Sequence, residues 1–380
     1  MKLRHSAAMA ATLVLVLAAC GDDSSGSGSA TTTGASAATT SGATTSSVAT
    51  TAASATSVAA MPSMKTTYPL TITNCGRKVT FDAPPKKVLI LNGTSVAEVE
   101  SFIALGITDH ILANSQSYGA TDVDGMMEKI AAIPNGGLKL NENFEVPKEQ
   151  TLALGPDLVI STWAGGFSEA MGSITRDQLD AAGIKSYVTP VNCAYGDEKP
   201  SAADAEAFAK QTYESSFDLL RELGVIFDVQ EKAEQVITDA KAKIAEVSRP
   251  AGAKPVHVLV AFPGMSMSGD GVPSVFAGPL TDSIIAAAGG VNSFAGKPTF
   301  ADSMSINAEA LAAAQVDVLV VGLFAPGESA DDYAKAIFAQ YPQWNAAKTN
   351  TYISIAETIY LGPYNAEGIE KIAAAVAKVG

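Results

Sequence analysis

The sequence is poor in the groups that build most enzyme and metal centres. Its 380 residues include three histidines, His5, His110 and His257, too few for a His-rich metal site. No Gly-x-Ser-x-Gly elbow, phosphate-binding loop or dinucleotide fingerprint occurs, so no nucleophile stands beside an evident base. Arginine is confined to Arg4, Arg77, Arg176, Arg221 and Arg249, which leaves little to grip a strongly anionic ligand. A formal charge of −14 argues against a nucleic-acid partner. The apolar run from Ala7 to Ala19 is too short to span a bilayer. From Gly21 to about Thr66 there is no aromatic side chain at all.

What is present has a clear order. Lys2 and Arg4 precede the apolar run, as in a signal peptide over residues 1–19. The run ends Leu17-Ala18-Ala19-Cys20, which resembles the lipobox of bacterial lipoproteins and implies lipid on Cys20. The Ser, Thr, Ala and Gly of residues 20–66 cannot bury enough surface to offset their ordering entropy, so a flexible leash is expected. With Cys20 lipidated, Cys75 and Cys193 remain. Outside the cytoplasm these two are expected to pair, and two buried free thiols are the alternative.

The folded part, from about Tyr68 to Gly380, is long enough for about two domains. Leu70–Thr73 and Lys78–Phe81 alternate around Asn74-Cys75-Gly76 as a hairpin. The continuous apolar run 88–91 and the stretch 256–260 read as buried strands, and 157–160, 186–188, 317–321 and 351–355 as further strands, all separated by helices. That alternation predicts parallel sheets with crossover helices. Thr94 or Ser95 is placed to cap a helix over 96–105, and one helix is expected over 202–223, closed by Gly224.

Between the two blocks lies Asp228–Val247, without Gly or Pro. Val229, Ala233, Val236, Ile237, Ala240, Ile244 and Val247 draw one apolar stripe at steps of three and four. Asp228 followed by Glu231 has the form of a capping box. The segment reads either as a rigid strut between two lobes or as a covering helix in one larger domain. The chain also echoes itself across it. Glu149 stands eight residues before Asp157 and Glu309 eight before Asp317, each Asp opening a hydrophobic strand. Two lobes of like design are the natural reading.

Leader, leash, two α/β blocks and a helical connector together resemble the substrate-binding proteins of ABC importers, within the class that takes iron-siderophores, haem and cobalamin. Thr80-Phe81-Asp82 with Pro84-Pro85, Ala104-Leu105-Gly106-Ile107, Pro156–Ile160, Trp344 with Tyr352-Ile353, and Leu361-Gly362-Pro363 carry the resemblance over nearly all of the folded part. It implies two three-layer lobes, residues 67–227 and 250–380, joined by a long helix at 228–249 with the ligand cleft between them. It further implies a monomer anchored outside the cytoplasm by lipid alone, with a permease and its ATPase as partners. The expected ligand is a metal chelate, and no cofactor of the protein's own is expected. The resemblance places Glu149 and Glu309 at permease docking positions.

Loops at the carboxyl ends of parallel strands should line the cleft. Asn92, Ser95, Tyr118, Trp163 and Tyr195 are the candidates in the first block, and Phe262, Met265, Met267 and Tyr360 in the second. Trp163 and Phe262 resemble cleft positions of the cobalamin-binding member. Aromatic and thioether groups with a few amides and hydroxyls suit a bulky ligand with apolar faces. With no Arg among the cleft loops, a neutral hydroxamate chelate, a corrinoid or a haem-like ring fits better than ferric citrate. A surface lipoprotein that binds a macromolecule, and less readily an enzyme, are the alternatives. His257, mid-strand, is expected to pack and His110 to lie at the surface.

Overall fold

A computed structural model describes residues 64–93, 95–116, 119–247, 254–265, 272–297, 300–303 and 305–380. The expected leader, Cys20 and most of the leash lie outside the described residues, as do Thr94, Tyr118 and Met267.

The chain opens with an antiparallel hairpin, β1 (Leu70–Asn74) and β2 (Arg77–Phe81), in register Leu70 to Phe81. Its turn holds Cys75, which is bonded to Cys193 across 118 residues of sequence. Closing a loop of that length stabilises the fold by about 4–5 kcal/mol through unfolded-state entropy. Then come β3 (Val88–Ile90), α1 (Ala97–Leu105), β4 (Ile111–Asn114), α2 (Met126–Ala131), α3 (Lys148–Leu154), β5 (Leu158–Ser161), α4 (Arg176–Ala181) and β6 (Lys185–Val188). The strands form a four-stranded parallel sheet in the order β4-β3-β5-β6. Val88, Leu89 and Ile90 have no exposed surface, which explains the unbroken apolar run: this strand is covered on both faces.

Two helices, α5 (Ala202–Ala209) and α6 (Ser215–Ile226), replace the single one expected from the sequence. Gly224 does not end α6 but lies inside it. A Cβ there would come within 2.9 Å of the Ala233 methyl, so Gly224 lets α6 approach α7 (Gln230–Glu246) closely. The expected capping box at Asp228 is absent. Asp228 adopts a left-handed φ of 59° and its carboxylate accepts from the Thr66 backbone N–H at 2.8 Å instead. Thr66 also donates to the Val225 carbonyl, so the leash ends at this corner.

The second block holds β7 (His257–Phe262), β8 (Ser274–Phe276), α8 (Pro279–Ala287), β9 (Val291–Asn292), α9 (Phe300–Ser303), α10 (Ala308–Ala313), β10 (Val318–Gly322), α11 (Ala330–Gln340), α12 (Asn345–Thr349), β11 (Tyr352–Ile355) and α13 (Asn365–Val379). Its sheet runs β11-β10-β7-β8, with β9 on β7 and only β8 antiparallel. The two sheets share no strand. The architecture is therefore two α/β lobes, as the resemblance implied.

The sequence echo is structural. Asp157 accepts from the Lys86 and Lys87 backbone N–H groups at 2.8 and 2.9 Å, at the start of β3. Asp317 accepts from the His257 N–H at 2.8 Å, at the start of β7. Each lobe thus uses an Asp to tie the start of one strand to its parallel neighbour.

The apolar stripe of α7 is buried as its periodicity requires. Ala233, Ile237 and Ala240 join the first lobe's core, while Ile244 and Val247 reach the second lobe's. The helix, about 25 Å long, is not free-standing. It lies along α6 and α13, and Lys243 pairs with Glu367 of α13 at 2.6 Å. Replacing Ile237 by Ala, at 1% exposure, should cost about 2–4 kcal/mol in urea unfolding. A change below about 0.5 kcal/mol would mean that the stripe is not core.

Candidate functional site

Parallel strands deliver their following loops to one edge of a sheet, and here both sheets deliver them to the same seam. A solvent-open cavity of about 250 Å³ lies there. The first lobe lines it with Ser95 after β3, Thr162 after β5, Asn192 and Tyr195 after β6, and Phe208 and Gln211 around the end of α5. The second lobe adds Met265 after β7, Ser274 and Phe276 of β8, the start of α8, and Ile359 to Leu361 ahead of α13. None of the described lining residues carries a charge.

The lining is held from behind. Phe262 stacks on Phe276 at 4.2 Å, and Tyr360 meets Phe276 edge-on at 5.5 Å. A Cβ on Gly322 would lie 2.3 Å from the Phe262 ring, so this aromatic group requires a glycine on β10. The Tyr360 hydroxyl reaches the Met265 sulfur at 3.5 Å. In the first lobe, buried Glu98 accepts from Thr162 Oγ1 at 2.6 Å, Thr189 Oγ1 at 2.7 Å and Gln116 Nε2 at 2.8 Å. Thr162 Oγ1 donates to Glu98 and accepts from Gln116 Nε2 at 3.2 Å, so its hydroxyl is held in place by both. Burial raises the Tyr195 phenol, which therefore presents a neutral O–H.

Of the residues expected from the sequence, Ser95, Tyr195, Met265 and Tyr360 come together around this cavity. Asn92, Trp163 and Phe262 do not line it. Asn92 is 6% exposed and donates to the Phe144 carbonyl at 2.6 Å. Trp163 packs behind Tyr195, ring centres 4.9 Å apart, in space left by Gly165 and Gly196. Phe262, with no exposed surface, backs Phe276. Sequence reasoning missed Thr162, Asn192, Phe208, Gln211 and Phe276. Thr162 and Asn192 stand beside residues it did choose, and the strand-end rule would have found them. Phe208 and Phe276 carry no such signal, because α5 and the antiparallel β8 were not recognised as lining elements.

The described arginines all lie elsewhere. Arg77 pairs with Asp177 at 2.6 Å and Arg221 with Glu234 at 2.8 Å. Arg176 is buried against Asn74 and Ser186. Glu149 and Glu309 are exposed in the first turns of α3 and α10, at corresponding places in the two lobes. His257 opens β7 rather than lying mid-strand and, half-buried, makes a cross-strand contact with Asp317 at 3.3 Å. His110 is half-buried rather than a plain surface residue, with Nδ1 2.5 Å from the Pro85 carbonyl and its ring against Phe227. Among the described residues no group of three or more His, Cys, Asp or Glu side chains could hold a metal ion, and no helix is long and apolar enough to cross a membrane.

Beneath the cavity the two lobes meet through acids. Asp122 of the first lobe accepts from Thr358 Oγ1 at 2.9 Å and pairs with Lys371 of α13 at 2.8 Å. Beside this tie, burial pushes the Glu100 carboxyl up to about 8, helped by Asp122 and Glu367 and opposed by Thr121. Burial also holds Glu357 well above the usual carboxylate range, with Glu100 and Glu98 raising it further across the seam.

A cleft of neutral groups between two parallel-sheet lobes defines a binding protein for a small molecule. The family model for periplasmic binding proteins matches residues 94–358, and the chain belongs to that family. Among solved structures, it is similar to a protein described as an ABC-type Fe3+-hydroxamate transport system from Saccharomonospora viridis. The two share 24% identity and a TM-score of 0.59 over 81% of this chain and 99% of that one. It is also similar to a periplasmic binding protein from Veillonella parvula, at 18% identity and a TM-score of 0.61 over 82% and 98% of the chains. The periplasmic haem-binding protein HutB of Vibrio cholerae matches at 17% identity and a TM-score of 0.52 over 76% and 97%. No curated protein matches the chain in sequence.

Glu100 binds its proton more tightly folded than unfolded, so its contribution favours the fold below about pH 4.5 and is lost as pH rises to about 8. Glu100→Gln removes that slope. Urea midpoints measured from pH 5 to pH 8 should therefore favour the variant increasingly over the wild type, and parallel curves would exclude a protonated Glu100.

Proposed function

We propose that this protein is the lipid-anchored, extracytoplasmic substrate-binding component of an ABC importer, and that its ligand is a metal chelate without net anionic charge, an iron-hydroxamate siderophore above the others. It is a carrier and not an enzyme. The observation that carries the reading is the cavity itself: aromatic, thioether and aliphatic groups from both lobes, a few neutral hydroxyls and amides, and no cation. An apolar chelate body packs on Phe276, Tyr360 and Phe208. Ser95, Asn192 and Gln211 orient its polar rim, and a metal that arrives already chelated needs no protein ligand. A corrinoid or haem-like ring shares the apolar faces but asks for a longer flat slot. The hydroxamate reading is also supported by the likeness to the Saccharomonospora viridis protein, and the family's work with permeases supports the transport role. The remaining sequence candidates, Tyr118 and Met267, lie outside the described residues and stay candidates for contact with this ligand. Residues 67–227 and 250–380 serve as the two lobes, with 228–249 as the connector.

Trp163 packs against the cavity residue Tyr195, ring centres 4.9 Å apart and tilted by 44°, and so reports on occupancy. Titrating its fluorescence with ferrichrome, a neutral ferric trihydroxamate, should give saturable binding at about micromolar or lower Kd. Ferric citrate should bind at least about a hundredfold more weakly. Tight ferric-citrate binding would overturn the charge argument.

Glu149 and Glu309 are the docking acids in this reading. They sit on rigid helix ends of separate lobes, where exposed charges set register and encounter more than affinity. Glu149→Arg together with Glu309→Arg should abolish chelate uptake in cells and leave the affinity of the purified protein unchanged. Undiminished uptake would remove both residues from the interface.

A further inference from the structure

One wall of the cavity is fastened from outside. After β6 the chain turns through Pro190–Asn192, and Cys193 falls between Asn192 and Tyr195, both of which line the cavity. On its outer side the same segment borders a surface depression lined by Cys75, Cys193, Gly165 and Gly196. Cys75 belongs to the β1–β2 turn, and that turn is itself fixed. The Asn74 side chain donates to the Val188 carbonyl at 2.8 Å and accepts from the Val188 N–H at 2.9 Å. Arg176, 8% exposed, donates to both Asn74 oxygens and to Ser186. The hairpin turn is thus a rigid post on the sheet edge, and Cys193 is bonded to it.

From Cys193 hang the contacts that shape the wall. Asn192 Nδ2 donates to the Thr162 carbonyl at 2.8 Å. The Tyr195 carbonyl accepts from the Gly165 N–H at 3.1 Å, and the Tyr195 ring stacks on Phe208 at 5.6 Å. After this segment the next helix begins only at Ala202. Without the cross-link, Asn192, Tyr195 and Phe208 would have to be ordered by the ligand, at the ligand's cost in affinity.

We propose that the Cys75–Cys193 bond is a positioning element of the ligand cavity, presetting Asn192 and Tyr195, and through Tyr195 the Phe208 ring. This rests on the reading of the cavity as the ligand site. Its role is separate from the unfolded-state stabilisation that any cross-link of this span gives.

A thermodynamic cycle tests it, with ferrichrome as the probe. Cys75→Ala with Cys193→Ala should weaken ferrichrome binding about tenfold, and the loss should not add to that of Tyr195→Ala, because groups acting through one another couple. Fully additive losses, or an affinity within about twofold of wild type, would overturn the proposal. Amide hydrogen exchange on unliganded protein reads the wall without any chelate. Faster exchange concentrated at 190–201 in the cross-link-free variant is expected, and unchanged exchange there would overturn the clamp. If ferrichrome fails to bind even the wild type, the hydroxamate reading falls and exchange alone decides the clamp. Should the variant not fold, the folded wild type can be reduced with a water-soluble phosphine. The S–S bond then breaks to two thiols, the phosphine becomes its oxide with oxygen from water, and the same exchange measurement applies.

Discussion

Every parallel strand in this molecule needs both faces covered, and two separate sheets have to share the helices that do it. The strands β3, β5, β7 and β10 are apolar almost throughout, save His257 that opens β7 and the buried Ser161 that ends β5, and apart from His257 they retain almost no exposed surface. Helices must therefore lie on each side of each sheet. Among the described residues no strand crosses from one sheet to the other, so the lobes are held together by helices, by side chains and by loop contacts such as the Ala120 N–H donating to the Phe324 carbonyl at 3.1 Å. The helices α6, α7 and α13 supply that union along the back, where Ser216 bonds Asn365 at 2.6 Å and Lys243 bonds Glu367. The strand ends on the other side are left facing each other across a gap.

That gap acquires its chemistry from how the strand-end loops are supported. Glu98 sits below the seam and organises three neutral side chains without presenting its own charge to the cavity. Glycines remove the bulk that would displace the aromatic supports: Gly322 beneath Phe262, and Gly165 with Gly196 around Trp163. Large rings thus serve as backing as well as lining. At the lobe seam beside the cavity stand the acids Glu100, Asp122 and Glu357, and the lysine Lys371. Of these, the Glu100 carboxyl is held protonated near neutral pH by burial. The lobe interface therefore mixes a conventional ion pair, Asp122 with Lys371, with a carboxyl that avoids charge.

The echo between the lobes bears on the docking role proposed for Glu149 and Glu309. Glu149 and Glu309 occupy the first turns of helices that lead into β5 and β10, each strand opened by an Asp that ties it to its neighbour. A duplicated helix–strand unit carries the paired acids to equivalent exposed places. Two charges at fixed separation on rigid supports suit recognition of a partner whose own charges are equally spaced.

Strand identity, sheet class and the amphipathic face of α7 were legible in the sequence because they depend on periodicity over a few residues. The cysteine pairing was legible because only two thiols remained once Cys20 was set apart. The positions of Ser95, Tyr195, Met265 and Tyr360 near the seam followed from the rule that loops gather at strand ends. Other features depend on distances between elements remote in sequence, which no local pattern encodes. Asp228 left its capping role because Thr66, far away in the chain, offered its N–H. Gly224 looked like a helix stop but is the contact that lets two helices touch. Trp163 and Phe262 have the right loop addresses and the wrong depth, since which ring faces the gap and which supports it is settled only when both lobes pack. The sequence by itself determined most of the strands, the class of the sheets and the apolar face of α7. Tertiary packing alone decided which side chains touch the cavity, because close contact is set by the whole set of neighbours at once.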